Sequence, residues 1–152
     1  MQVCRIHVGP VKLMPGVDEI QAFVREQTGC RKQLPEDASL QEDVGLFADD
    51  LGEFMDAFAK RFEVDLSSFL WYFHTGEEGP SLGGVFFAPP QDRVTRIPIT
   101  LRMLREAAEL GNWTVAYPQH SLPARRYDIL INQLVVGGMA IVLLWWLARA
   151  LF

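Results

Sequence analysis

The stretch Ser39–Leu66, SLQEDVGLFADDLGEFMDAFAKRFEVDL, holds both the densest acidic cluster of the chain and its clearest helical period. Apolar residues recur in it at i, i+3, i+4, i+7 and i+11 and so share one face of a helix: Leu51, Phe54, Met55, Phe58 and Phe62. Acids stand where such a helix would begin and bases where it would end, as the helix dipole favours. The stretch therefore predicts an amphipathic helix of about three to four turns, with Glu53, Asp56 and Lys60 on its solvent face.

Two more helices are predicted, one on each side of this stretch. Residues 17–28 carry an apolar stripe with acids in the first turn, and Gly29 follows as a stop signal. Residues 100–110 begin with Thr100, a residue type that caps helices, and Gly111 stands just beyond the last turn. We expect Trp113 to fold back onto this bundle.

The remaining patterns of the soluble part are weaker. Segment 65–74 is rich in aromatic residues and predicts a short helix or turn that completes the core; the alternative is an exposed aromatic lip for a ligand or partner. Residues 85–87 predict a short strand or a plug, paired weakly with 94–99, and segment 1–16 predicts a tail or short strand. The fold class that follows is mainly all-α, a small helical bundle with at most a few short strands.

The last segment, residues 129–152, is of a different kind, because its only strongly polar residues are Asn132, Gln133 and Arg149. At about 1.5 Å per residue, a helix of this length reaches roughly the ~30 Å thickness of the hydrocarbon layer of a bilayer. We therefore predict one transmembrane helix; a buried core helix or an oligomer helix is the alternative. Arg125 and Arg126 precede the span and place the N-terminal domain on the cytoplasmic side.

Charge and composition exclude some function classes. The chain has 19 acids and 14 bases, for a formal charge of −5, and residues 1–65 hold 13 of the acids but 7 of the bases. A nucleic-acid backbone needs a basic patch, which this sequence lacks, so no nucleic-acid partner is expected. The acidic surplus favours a basic protein partner or serves solubility alone.

Cys4 and Cys30 are too few for a disulfide framework and favour a reducing, cytosolic compartment.

No pattern in the sequence points to catalysis or to a metal. The histidines lack the i, i+3 or i, i+4 partners of a metal site: His7, His74 and His120. The serines lack a nucleophile elbow, and Gly83-Gly84 is not followed by the Lys-Ser/Thr of a phosphate loop. We therefore expect no enzymatic activity and no metal.

The central stretch and its surroundings resemble two related kinds of protein. Glu42-Asp43-Val44-Gly45 and the closing Phe62 resemble the recognition region of an acyl carrier protein. The closer resemblance is to the carrier-like domain of unknown function 1493 family, on three further runs in order: residues 62–66 (FEVDL), Tyr72-Phe73, and residues 100–113. It covers roughly residues 34–113. In a gapless overlay, the serine that carries phosphopantetheine in carrier proteins falls on Ala48, whose methyl group offers no nucleophilic oxygen.

The resemblance implies a carrier-like helical bundle that carries no phosphopantetheine or other cofactor. It also implies that the acidic helix docks on a basic partner, through Asp49, Asp50, Glu53 and Asp56. The predicted organisation is an N-terminal segment at 1–16, the carrier-like domain at 17–116, a linker at 117–128 and the transmembrane helix at 129–152. Two other functions stay open: a small membrane protein that acts through its anchor, and a binder of acyl chains or lipids without covalent attachment.

Overall fold

The computed structural model of the chain describes residues 15–79 and 81–151. Four α-helices dominate them: α1 (Val17–Thr28), α2 (Ala48–Phe62), α3 (Leu101–Leu110) and α4 (Tyr127–Leu151). Within the described residues the only β-type pairings are two isolated bridges, Ser39 with Thr100 and Asp65 with Asn112. The predicted mainly all-α class is therefore confirmed. The predicted tail or strand at 1–16 lies, up to residue 14, outside the described residues.

The helix boundaries follow the local signals of the sequence. Gly29 and Gly111 end α1 and α3 with φ of 70° and 73°, a left-handed conformation that costs a glycine nothing. The Thr100 side chain caps α3 by accepting a hydrogen bond from the Met103 N–H at 3.3 Å. All three helices predicted before residue 129 are therefore present at the predicted places.

By internal contacts the described chain divides into two units. The first comprises the residues up to Leu46 together with Phe54–Phe69 and Ile99–Val115. Its core is an aromatic cluster in which the Phe23 ring of α1 lies 5.2, 6.1 and 5.4 Å, centre to centre, from the rings of three α2 residues: Phe54, Phe58 and Phe62. Trp113 is buried in the same unit, as expected, and its indole meets the Phe69 ring edge-on. The apolar face of α2 therefore builds this core.

The segment before α2 contains one turn of π-helix at Leu40–Val44. Ser39 caps this turn, since its hydroxyl accepts hydrogen bonds from the backbone N–H groups of Gln41 and Glu42, both at 3.2 Å. The Asp43 carboxylate reaches back and accepts from the Ser39 N–H at 2.7 Å. The polar residues of this segment therefore satisfy the backbone groups of a helical turn rather than solvating a loop.

The second unit comprises Phe47–Glu53, Leu70–Pro98 and the chain from Ala116 onward. Three 3₁₀ turns shape its middle part: Trp71–Phe73, Gly83–Val85 and Pro90–Arg93. The strand or plug expected at 85–87 is wrong, because Val85 ends a 3₁₀ turn, Phe86 and Phe87 follow it as a turn and a bend, and all three side chains are exposed. Of the aromatic side chains expected to complete the core, Phe73 is buried, whereas Phe69, Trp71 and Tyr72 are half-buried.

Helix α4 has 25 residues and begins two residues before the predicted Ile129. Within the described part of the chain it is the one helix long and apolar enough to cross a membrane, and none of its most apolar window is buried against the protein. The alternative of a buried core helix is therefore wrong. Exposure of this much apolar helix in water would be costly, which weakly favours a membrane anchor.

Candidate functional site

Helix α2 presents an acidic face, defined here by the four predicted partner-binding residues. All four side chains are exposed: Asp49, Asp50, Glu53 and Asp56. The apolar residues of the same helix are buried, with Phe58 fully inaccessible and Phe54 3% exposed. Within residues 15–79 and 81–151, none of the four carboxylates forms an ion pair with Lys or Arg. The four carboxylates therefore lie on the solvent-exposed face of α2, opposite the face that packs into the core.

The first residue of α2 is Ala48, at the position that the resemblance assigns to the carrier serine. Its φ of 43° is left-handed, a conformation that costs an L-residue other than Asn or Asp roughly 1 kcal/mol. Its backbone N–H donates a hydrogen bond of 2.6 Å to the hydroxyl of Thr75, which is buried. A tertiary contact therefore holds the start of α2, and Ala48 offers only a methyl group there.

Replacing Thr75 with valine should lower the free energy of unfolding by about 1–3 kcal/mol, because the Ala48 N–H would lose its acceptor in a partly buried place. Thr75→Ser keeps the hydroxyl and is expected to stay much closer to the wild type. Urea unfolding of the full-length chain in a mild detergent measures both. A larger loss for serine than for valine would show that the methyl group, which valine keeps, and not the hydrogen bond, stabilises this site.

A buried histidine lies next to Thr75 in the sequence. The Ile97 carbonyl accepts a hydrogen bond from His74 Nδ1 at 2.7 Å, so Nε2, 2.8 Å from the Tyr117 hydroxyl oxygen, accepts from that hydroxyl when the ring is neutral. Burial lowers the pKa of His74, and the hydrogen bond to Ile97 offsets this in part. The arrangement is that of a structural histidine, as its lone position in the sequence indicates.

This lowered pKa predicts a loss of stability in acid. Below the ordinary histidine pKa of 6.5 the unfolded chain takes up a proton on His74, whereas the folded chain takes it up only at lower pH. The free energy of unfolding should therefore fall as the pH drops from 6.5 toward the folded-state pKa. Comparing unfolding curves of wild type and His74→Gln from neutral to mildly acidic pH isolates this contribution. The control His120→Gln replaces an exposed histidine and should lose stability in acid as the wild type does. If His74→Gln lost as much stability in acid as the wild type, the effect would not come from His74.

The start of α4 carries an ion-pair cluster that sequence patterns did not reveal. Arg126 binds Glu77 in a two-pronged pair, at 3.0 and 2.7 Å, and its Nη2 lies 2.6 Å from the carboxylate of Asp128. Asp128 is buried in the first turn of α4. The hydrogen bond between Arg126 and Asp128 raises the pKa of Arg126 most, and the hydrogen bond with Glu77 raises it further, so Arg126 stays charged at any physiological pH. The cluster therefore ties the loop at Glu77 to the base of α4.

Among the described residues no group of three or more His, Cys, Asp or Glu side chains could hold a metal ion.

The sequence contains no sign of the roles of Thr75 and Arg126. Neither residue belongs to a motif, and their hydrogen-bond partners Ala48 and Glu77 lie 27 and 49 residues away in the chain. Asp128 had a local signal, since an acid in the first turn of an apolar helix suits the helix dipole.

The comparisons with known proteins reveal one relationship. No curated protein and no solved structure matches the chain. The family described as protein of unknown function (DUF1493) matches residues 17–116, which extends beyond the resembling runs of the sequence at both ends. Because this match covers more than half of the chain, the chain belongs to that family.

Proposed function

We propose that this member of the DUF1493 family is a membrane-tethered, carrier-protein-like interaction module that does not carry phosphopantetheine. The single observation that carries the proposal is α4, an apolar helix of 25 residues whose most apolar window is 0% buried. The module lies before the anchor and offers the acidic face of α2 to a partner. The N-terminal part is on the cytoplasmic side in this proposal.

The case for the anchor rests on length, apolarity and flanking charge. At about 1.5 Å per residue, α4 is roughly 37 Å long, enough to cross a hydrocarbon layer of ~30 Å. Arg125, exposed, and Arg126 precede the helix, and positive residues are retained on the cytoplasmic side. Near the other end, Arg149 lies over the Trp145 ring at 5.4 Å, a pairing that suits the far interface.

The case for recognition rests on the two faces of α2. One face packs into the core, and the other carries four exposed carboxylates along consecutive turns of the helix. Such a fixed charge pattern speeds encounter with a basic surface and selects against acidic ones. The resemblance to carrier proteins points to the same face, whereas Ala48 removes the nucleophile that a carrier needs.

We also propose that the module is not an enzyme. Carboxylates that act as general acids or bases work in a shielded cleft that tunes them, and the acidic face is open to water. The same acidic surplus disfavours nucleic acid as a partner.

A charge-reversal pull-down tests the recognition part. Full-length chain in mild detergent is the bait, as wild type, as Glu53→Lys with Asp56→Lys, and as a control with the same charge change elsewhere, Glu26→Lys with Glu106→Lys, both exposed. We expect a basic protein to be recovered by wild type and by the control but to be depleted with the α2 variant, more at low salt than at high salt. Equal recovery by all three baits would contradict docking through α2.

A further inference from the structure

An exposed apolar turn lies in the second unit, at Leu82–Phe87, with the sequence LGGVFF. Four of its side chains are strongly exposed: Leu82 at 56%, Val85 at 78%, Phe86 at 74% and Phe87 at 43%. Contiguous apolar side chains of this size on a protein surface mark a contact with another apolar body. A loop that faces only solvent does not account for them.

The turn is fastened to the base of α4. The Gly83 N–H donates a hydrogen bond of 2.8 Å to the Asn132 side-chain oxygen, and the Asn132 amide donates to the Ser81 hydroxyl at 3.1 Å. Gly83 is buried so closely that an added Cβ would collide with the Asp128 backbone. The Phe87 ring lies 5.5 Å from that of Tyr127, the first residue of the helix. The exposed side chains are therefore held beside the first turns of α4.

The length of α4 fixes the depth of these turns in a membrane. About 20 residues span the hydrocarbon layer, so a helix of 25 residues leaves roughly one turn at the interface. We place the N-terminal end of the helix at the interface, because three of its polar residues lie there: Asp128, Asn132 and Gln133. The residues that hold the Leu82–Phe87 turn are thus those at the level where the helix enters the bilayer.

We propose that the Leu82–Phe87 turn is a second membrane contact, which inserts its apolar side chains into the boundary between headgroups and acyl chains beside α4. The inference rests on the proposed anchoring of α4. Apolar and aromatic side chains bury about 5–10 Å into that boundary in interfacial segments. We assign the contact to apolar burial, because the charges beside the turn are mixed and partly paired. Glu77, Glu78 and Asp92 are acidic, but Arg126 is paired with Glu77 and Asp128, and Arg93 donates to the Ala88 carbonyl.

Fluorescence quenching measures the depth of the turn. The full-length chain, with Cys4 and Cys30 replaced by serine, receives one cysteine, labelled with an environment-sensitive dye, in vesicles of phosphatidylcholine. The label positions are Phe86→Cys in the turn, Leu144→Cys within α4, and Glu26→Cys at an exposed site of α1. Lipids carry a nitroxide either high on the acyl chain or near its end, and iodide quenches from the water.

We expect the label at position 86 to lose most of its fluorescence to the shallow nitroxide, less to the deep one, and little to iodide. The label at 144 should respond most to the deep nitroxide, and the label at 26 to iodide alone. Strong quenching by iodide at position 86, with the deep response at 144 intact, overturns the second contact but keeps the anchor. Loss of the response at 144 overturns both. Shielding at 86 that depends on protein density, and not on lipid nitroxide, would assign the turn to a second copy of the chain.

Two glycine substitutions, one a control, test separately whether the fastening to α4 positions the turn. Gly83→Ala should push the turn away from α4 and reduce the shallow quenching at position 86, because its Cβ has no room beside Asp128. Gly76→Ala is the matched control, since its Cβ would make only an ordinary contact with Gln91 at 3.6 Å. Unchanged quenching in Gly83→Ala, with the fold intact by circular dichroism, would overturn the role given to the fastening.

Discussion

Replacing Phe58 with alanine is expected to lower the free energy of unfolding by about 3–5 kcal/mol, the usual range for emptying a buried phenylalanine site. Phe58 is fully inaccessible to solvent, and its ring contacts those of Phe23 and Phe62 at 6.1 and 5.1 Å. Because small domains are stable by only about 5–15 kcal/mol, this loss approaches the whole stability of the first unit. Urea unfolding measures it directly when Trp113, buried in the same unit, is the one remaining tryptophan, with Trp71, Trp145 and Trp146 replaced by phenylalanine in both chains compared.

The matched control removes two exposed side chains from the same helix. Glu53→Ala with Asp56→Ala should change the free energy of unfolding by no more than about 0.5 kcal/mol per site, as is usual for surface positions. Alanine also favours a helix, so the backbone is not weakened. If the acidic pair were as destabilising as Phe58→Ala, the division of α2 into a packed face and a recognition face would be wrong.

The second large effect concerns the anchor. Met139→Arg with Leu143→Arg places two charges one turn apart in the middle of α4, both at exposed positions that face lipid in the proposed state. Each arginine at the centre of a span costs about 2.5–3.5 kcal/mol of insertion free energy. We expect the double variant to leave the membrane fraction in a flotation gradient.

The control for this variant adds the same charge outside the helix. Gln119→Arg with Ser121→Arg lies in an exposed segment before α4 and should float with the membranes as the wild type does. Flotation of the Met139→Arg, Leu143→Arg chain equal to that of the control would show that α4 does not cross the hydrocarbon layer.

The features that the sequence predicted are those with local signals. The period of apolar residues located α2 and its buried face, and the caps at Thr100, Gly29 and Gly111 located the ends of α1 and α3. Apolarity alone located α4 to within two residues of its start. These signals act within a few residues and need no knowledge of the tertiary structure.

The features that escaped prediction depend on partners distant in the chain. The sequence predicts a strand or a plug at 85–87, but Gly83 donates a hydrogen bond to Asn132, 49 residues away, and begins a 3₁₀ turn that ends at Val85. The Thr75 hydroxyl meets the start of α2 over a separation of 27 residues. The four predicted partner-binding residues lie exposed on α2, and their role as a binding surface stays a prediction.

The most direct test of a membrane-tethered module is alkaline carbonate extraction of membranes that contain the unaltered full-length chain. Carbonate strips peripheral proteins but leaves spanning helices in the bilayer. The 25-residue, exposed and apolar α4 predicts that the chain stays in the membrane pellet. Recovery of the intact chain in the soluble fraction would contradict the account.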